Sequence, residues 1–174
     1  MGVIKFRLLK VEIFLNEQFT IVKIKMVKEG EKAPEFNLKD TNGKNVKLSD
    51  FKGKKLLLYF YPKDNTEGCT KEACNLRDNN NLLKKNNIEI VGVSLDNEES
   101  HKKFSEKYNL PFTLLCDTSK KTSTDYGVYG KKMSFGIPKM GIIRTSFLID
   151  EKGIIKKIFN QVDTENHAIQ VLGE

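Results

Sequence analysis

Leu56-Leu57-Leu58-Tyr59-Phe60-Tyr61-Pro62-Lys63-Asp64-Asn65-Thr66-Glu67-Gly68-Cys69-Thr70-Lys71-Glu72-Ala73-Cys74 is the stretch on which the fold turns. Residues 56–61 are apolar without a break, as expected of a strand covered on both faces. Pro62 ends the run, since it brings no N–H to a ladder. A polar, helix-like segment follows from about Thr66 to Lys85. Cys69 therefore falls just after a strand–loop turn, at the start of a helix. Unpaired backbone N–H groups and the helix dipole favour an anion there, and the thiolate is the nucleophilic form of cysteine. A helix start alone does not make an efficient catalyst. The rest must come from groups that hold the substrate and stabilise the charge moving onto the leaving atom. A hydroxyl such as Thr66 and a fixed guanidinium such as Arg144 have suitable chemistry.

Outward from this stretch the chain alternates strand and helix. Phe36-Asn37-Leu38 and Val46-Lys47-Leu48 flank Asn42-Gly43, a hairpin signal because both turn residues tolerate positive φ. Ile88 to Ser94 reads as the next strand. Asp96-x-x-Glu99 resembles a capping box that opens a helix through Tyr108. Thr113-Leu114-Leu115 reads as a short strand and Thr118 to Tyr126 as a short helix. Ser146 to Ile149 and Ile154 to Phe159 form a second hairpin around Asp150-Glu151-Lys152-Gly153, and a last helix runs from about Thr164 to Leu172. This order predicts an α/β fold with a central mixed sheet flanked by helices.

The chain has 174 residues, 39% hydrophobic and 30% charged, the balance of one globular domain. No run approaches the ~20 apolar residues of a membrane span. The net charge of +7 is diffuse: residues 1–25 carry +3 of it, from Lys5, Arg7, Lys10, Lys23 and Lys25 against Glu12 and Glu17. Such an excess supports solubility but makes no specific nucleic-acid surface. Three cysteines, an odd number without a dense disulfide framework, favour a reducing, cytoplasmic setting. No Cys-x-x-Cys or clustered His/Cys spacing suggests a metal. Residues 1–25 read as an N-terminal extension to a domain at 26–174. That extension is either an added strand or hairpin, as in Ile21-Val22-Lys23-Ile24-Lys25, or the product of an upstream start, with Met26 the alternative.

Pro62-x-x-x-Thr66-x-x-Cys69 resembles the active-site motif of peroxiredoxins. The longer run Tyr61 to Cys74 is similar to the subfamily called bacterioferritin comigratory protein, or peroxiredoxin Q. The likeness spans about residues 28–172. It includes Ser100-His101-Lys102-Lys103-Phe104, Lys107-Tyr108-x-Leu110-Pro111-Phe112, and Arg144 ahead of Phe147-Leu148-Ile149-Asp150. The resemblance implies a thioredoxin-like fold and the reduction of hydrogen peroxide and organic hydroperoxides. It implies that Cys69 is the peroxidatic thiol and Cys74 its intrachain resolving partner. It implies that Thr66 and Arg144 bind the peroxide and that Pro62 shields the thiolate. Thioredoxin or a similar dithiol would recycle the enzyme, no metal, haem or flavin is required, and a monomer or weak homodimer is expected.

Three departures stand out. Glu67 occupies a position where the family usually has proline, and its carboxylate works against a thiolate two residues away. Thr145-Ser146 reverses the usual Ser-Thr order, and residues 1–25 have no counterpart in the family pattern. Cys116, at the end of an apolar strand, reads as structural. His101 and His167 read as solvated. Two rivals stay open. A disulfide oxidoreductase of thioredoxin type would share the fold class but expects Cys-x-x-Cys, whereas four residues separate Cys69 from Cys74. A non-enzymatic binding protein has only the basic surface in its favour.

Helical geometry adds an expectation. Residues five apart in a regular helix have Cα atoms roughly 8.7 Å apart, given a ~7.5 Å rise and ~140° rotation. A disulfide tolerates at most ~7 Å without backbone movement. If Cys69 and Cys74 bond, the turn between them must open, and Thr70 to Ala73, polar or small, would expose little apolar surface.

Overall fold

The computed structural model describes residues 27–174. The expected extension at 1–25 and the alternative start at Met26 lie outside the described residues. A hairpin comes first, β1 (Asn37–Asp40) against β2 (Asn45–Lys47), followed by a 3-10 turn at Leu48–Phe51. β3 (Lys55–Phe60) leads to α1 (Glu67–Asp78), α2 (Asn80–Lys85) and β4 (Ile88–Ser94). Then come α3 (Glu98–Tyr108), β5 (Thr113–Cys116) and α4 (Lys121–Asp125). A second hairpin, β6 (Tyr129–Ser134) and β7 (Ile137–Ile142), stands apart from the main sheet. β8 (Thr145–Ile149), β9 (Ile155–Phe159) and α5 (His167–Leu172) close the chain.

The main sheet has seven strands in the order β2-β1-β5-β4-β3-β8-β9. β3, β4 and β5 run parallel, while β8 returns antiparallel to β3. The expected mixed sheet is thus found. The unbroken apolar run of β3 is resolved by alternation: Leu56, Leu58 and Phe60 pack into one core, Leu57 and Tyr59 into the other. The second core takes Ala73 and Leu76 of α1, Leu83 of α2, Phe104 of α3 and Ala168 and Val171 of α5. The first is closed by Ala33, Phe36, Leu48, Tyr126 and Val128. Gly92 of β4 is glycine because Tyr59 lies over it, and a Cβ there would meet the Tyr59 ring at 2.7 Å.

Several expectations change. The helix expected over 66–85 breaks at Asn79, whose side-chain amide donates to the Asn75 carbonyl at 2.9 Å. An asparagine that bonds backbone in this way competes with helix continuation. The capping box at Asp96 is not formed. Asn97 caps α3 by accepting from the Ser100 N–H at 2.9 Å, while Asp96 accepts from the Ser94 hydroxyl at 2.6 Å. Neither histidine is solvated: His101 and His167 are both fully buried. The β6–β7 hairpin has no counterpart in the sequence reading. Its turn places Phe135 (φ 49) and Gly136 (φ 78) in the left-handed region. A phenylalanine there gives none of the usual turn signal.

Candidate active site

β3 delivers the chain to residues 61–66, and α1 begins at Glu67 with Thr66 as its N-cap. The Thr66 hydroxyl does not cap the helix; it donates to the Lys63 carbonyl at 2.9 Å. Thr66 is exposed and Pro62 half-buried, both in the connection directly ahead of the helix. Cys69 is the third residue of α1 and is buried. Register explains how Arg144 reaches it. Phe60, the last residue of β3, pairs with Thr145, the first of β8, so Arg144 arrives beside the point where the chain leaves the sheet.

Arg144 Nη2 donates to Cys69 Sγ at 3.3 Å. Its Nη1 donates to Glu72 Oε2. One guanidinium therefore spans the sulfur and a buried carboxylate. Burial works against its charge, but Glu72 and Cys69 outweigh burial and raise its pKa. Gly68 leaves room for this approach, since a Cβ there would lie 3.1 Å from Arg144 Nη2. A second cation comes from the β6–β7 hairpin: Lys132 donates to the Ile142 carbonyl at 3.0 Å. Its pKa is lowered, by burial first and also by Arg144, with Cys69 pulling the other way.

Glu72 lies three residues after Cys69 and shares its buried face of α1. Burial pushes it up to about 7 against the pull of Arg144. Among the described residues its Oε1 has no hydrogen-bond partner, and it faces His167 Nε2 at 3.7 Å. His167 Nδ1 lies 3.1 Å from Gln170 Oε1, and its Nε2 lies 2.9 Å from the Ser146 hydroxyl. Gln170 is oriented by its own amide, which donates to the Gln161 carbonyl at 2.9 Å. Nδ1 of His167 therefore carries the proton, and Nε2 accepts from Ser146. Burial is the main cause that pushes His167 down to about 4.

Cys74 is half-buried on another face of the same continuous helix, and Cys69, Cys74 and Cys116 are all free thiols. Cys116 is buried at the end of β5, and burial, with nearby Glu98, pushes its thiol up to about 12, as suits a structural cysteine. Of the residues picked from sequence, Cys69 and Arg144 are in contact. Pro62 and Thr66 lie in the connection ahead of α1, and Cys74 lies on another face of that helix. Sequence reasoning missed Glu72, Ser146 and His167. The i, i+3 spacing of Cys69 and Glu72 could have flagged the first. No sequence signal pointed to His167.

Comparison with known proteins gives the family. Residues 29–158 match the model of the AhpC/TSA family. The chain is 46% identical over 147 residues to the putative peroxiredoxin bcp of Coxiella burnetii, covering 84% of this chain and 97% of the relative. It is 47% identical over 143 residues to peroxiredoxin Bcp of Bacillus subtilis, covering 82% and 91%. A solved structure of the Xanthomonas campestris bacterioferritin comigratory protein, studied for alkyl peroxide reduction, superposes with TM-score 0.74 at 31% identity. That match covers 79% of this chain and 88% of the other. The fold and the relatives define the class, a thiol peroxidase on a thioredoxin-like sheet, and the chain belongs to the AhpC/TSA family. Within that family it is a peroxiredoxin of the Bcp, or peroxiredoxin Q, group. Among the described residues no helix is long and apolar enough to cross a membrane.

Proposed function

We propose that Cys69 is the peroxidatic thiol of this enzyme and Cys74 its resolving partner within the same chain. The observation that carries this reading is the Arg144 guanidinium set 3.3 Å from Cys69 Sγ at the first turn of α1. The Cys69 thiolate attacks the distal oxygen of ROOH. An S–O bond forms and the O–O bond breaks, and RO⁻ departs with the electron pair and is protonated to ROH. Arg144 stabilises charge on the sulfur and then on the departing oxygen. Thr66 gives its proton to Lys63, so its lone pairs are free to accept from the peroxide O–H. Half-buried Pro62 limits water at the thiolate. The Cys74 sulfur then attacks the Cys69 sulfenic acid, forming S–S as water leaves. Thioredoxin or a similar dithiol restores both thiols by exchange.

Hydrogen peroxide and alkyl hydroperoxides are the substrates of this reading. The latter draw support from the X. campestris relative. The protein would serve antioxidant defence in the cytoplasm as a monomer or weak homodimer, with 26–174 as its catalytic domain. Cys69→Ser is expected to abolish turnover. Cys74→Ser should react once and accumulate a sulfenic acid that a dimedone-type probe traps. Equal loss of the first oxidation in both variants would overturn the division of roles.

A further inference from the structure

Asp64 sits in the connection 61–66 between exposed Lys63 and Asn65, yet it is itself buried. Its Oδ1 accepts from the Tyr61 hydroxyl at 2.7 Å, and its Oδ2 from the Ser100 hydroxyl at 2.7 Å. His101 Nδ1 lies 3.1 Å from Oδ1 and 2.9 Å from Oδ2. The other ring nitrogen of His101, Nε2, lies 3.1 Å from the Leu115 carbonyl. The Tyr61 hydroxyl also lies 3.3 Å from His101 Nδ1. The result is a buried histidine–carboxylate pair, its ring joined to Asp64 on one side and to β5 on the other. Burial alone would raise the Asp64 pKa, but the bonds from His101, Tyr61 and Ser100 more than offset it. The backbone N–H of Asp64 is also taken, by Asp96 Oδ2 at 3.0 Å. Asp64, Asp96 and His101 lie close enough together to suggest a cation site, but hydrogen bonds already engage the oxygens and nitrogens that would ligate it.

A buried polar pair of this kind gives little net stability, and what it returns is one fixed geometry. Geometry is what this connection needs. Asn65 follows with φ 58, in the left-handed region, and holds it only while its surroundings determine it. Thr66 comes next and sets the direction in which α1 departs. Arg144 reaches Cys69 from the link between β7 and β8, so the two halves of the site stay in register only if the connection 61–66 is fixed.

We propose that Asp64 and His101 are positioning residues for peroxide reduction. Their buried pair ties the connection 61–66 to the start of α3 and to β5. It thereby holds Thr66 and the first turn of α1 in place against Arg144. The proposal rests on Cys69 as the peroxidatic thiol, and it acts on the first chemical step alone, because resolution by Cys74 requires α1 to open.

Stopped-flow oxidation of the reduced protein by hydrogen peroxide separates the two steps. Asp64→Asn and His101→Gln should each lower the rate constant for Cys69 oxidation ~10-fold or more, as a small displacement of reacting groups does. The later disulfide step should stay within about twofold of wild type. The double variant should be no slower than the slower single variant, since both remove one device. Ser100→Ala, which removes one donor and leaves the pair, should show a smaller effect of the same kind. Proton NMR of the reduced wild-type protein should show a His101 ring proton held in a slowly exchanging hydrogen bond to Asp64, a reading that survives if a variant fails to fold. Unchanged oxidation rates, equal slowing of both steps, or a freely exchanging ring proton would each overturn the proposal. If wild type itself failed to react while Cys69→Ser behaved identically, the assignment of Cys69 would fall first.

Discussion

Glu72 and His167 face each other at 3.7 Å, and their proton affinities are displaced in opposite directions. Folded Glu72, pushed up to about 7 from 4.5, holds a proton that the unfolded chain has released. Its contribution to stability is complete at and below pH ~4.5 and is lost as pH rises toward 7. Folded His167, pushed down to about 4 from 6.5, stays neutral where the unfolded chain is charged. Its contribution is complete at and above pH ~6.5 and is lost as pH falls toward 4. Each displacement corresponds to roughly 3 kcal/mol, so between about pH 4.5 and 6.5 the two slopes oppose and nearly cancel. Relative to wild type, Glu72→Gln should therefore lose stability as pH is lowered through this window, and His167→Gln as pH is raised through it. Urea unfolding at stepped pH is the measurement, and parallel profiles in all three proteins would refute the coupling. Arg144→Ala should slow Cys69 oxidation ~10²-fold or more, the usual cost of removing a donor that stabilises developing charge. Arg144→Lys should recover little, because one ammonium cannot span both sulfur and carboxylate as the guanidinium does. A rate within about threefold of wild type for either would remove Arg144 from the chemistry. Cys69 was legible because it sits in a compact motif, and Arg144 because it stands just ahead of the strand Phe147-Leu148-Ile149 in the same family resemblance. Glu72 lay inside that motif unread, and His167 could not be read, since its partner is 95 positions away and only the packing of α5 on α1 unites them.

At the scale of elements, α1 runs unbroken through both cysteines, the state in which helical geometry forbids their bond. The sequence leads one to expect that opening residues 70–73 exposes little apolar surface. The structure adds a polar cost: Glu72 and Ala73 are buried, and opening the turn takes Glu72 away from Arg144. It also disturbs α5. Asn75 Oδ1 accepts from the Ala168 N–H at 2.9 Å, and its Nδ2 donates to the Glu165 carbonyl at 2.6 Å, so a residue of α1 caps the start of α5. The break at Asn79 lies just beyond, so α2 need not follow. Oxidation to the Cys69–Cys74 disulfide should therefore lower hydrogen-exchange protection at amides 69–76 and at 168, and leave 83–86 unchanged. Equal protection in both redox states, with the disulfide confirmed by mass spectrometry, would refute the hinge. The strands were legible because alternation onto two cores leaves continuous apolar runs in the middle of a sheet. The β6–β7 hairpin was not, because most of its surface is open and its turn is made by Phe135. The α1–α2 break was hidden because an asparagine inside a polar helix carries no periodicity of its own.

Over the whole molecule, the family match begins at residue 29, and the first core is closed from Ala33 onward. A protein consisting of residues 26–174 should therefore fold and oxidise Cys69 at a rate within about twofold of the full chain; loss of either property would make residues 1–25 part of the catalytic domain. The sheet edges bear on a different risk. Among the described residues, one edge strand, β2, is three residues long. The other, β9, carries exposed Lys156, whose ammonium reaches the Glu174 carbonyl at 3.1 Å, and Lys157, paired with Glu174 at 3.3 Å. The proposed Cys69–Cys74 disulfide would melt a turn in each cycle and so bring the chain repeatedly near the partly open states from which chains misassemble. A short edge and a lysine-bearing edge give such states no flat template for strand addition. Sustained turnover in a concentrated solution of this protein should then leave it clear, where a chain with long bare edges would cloud.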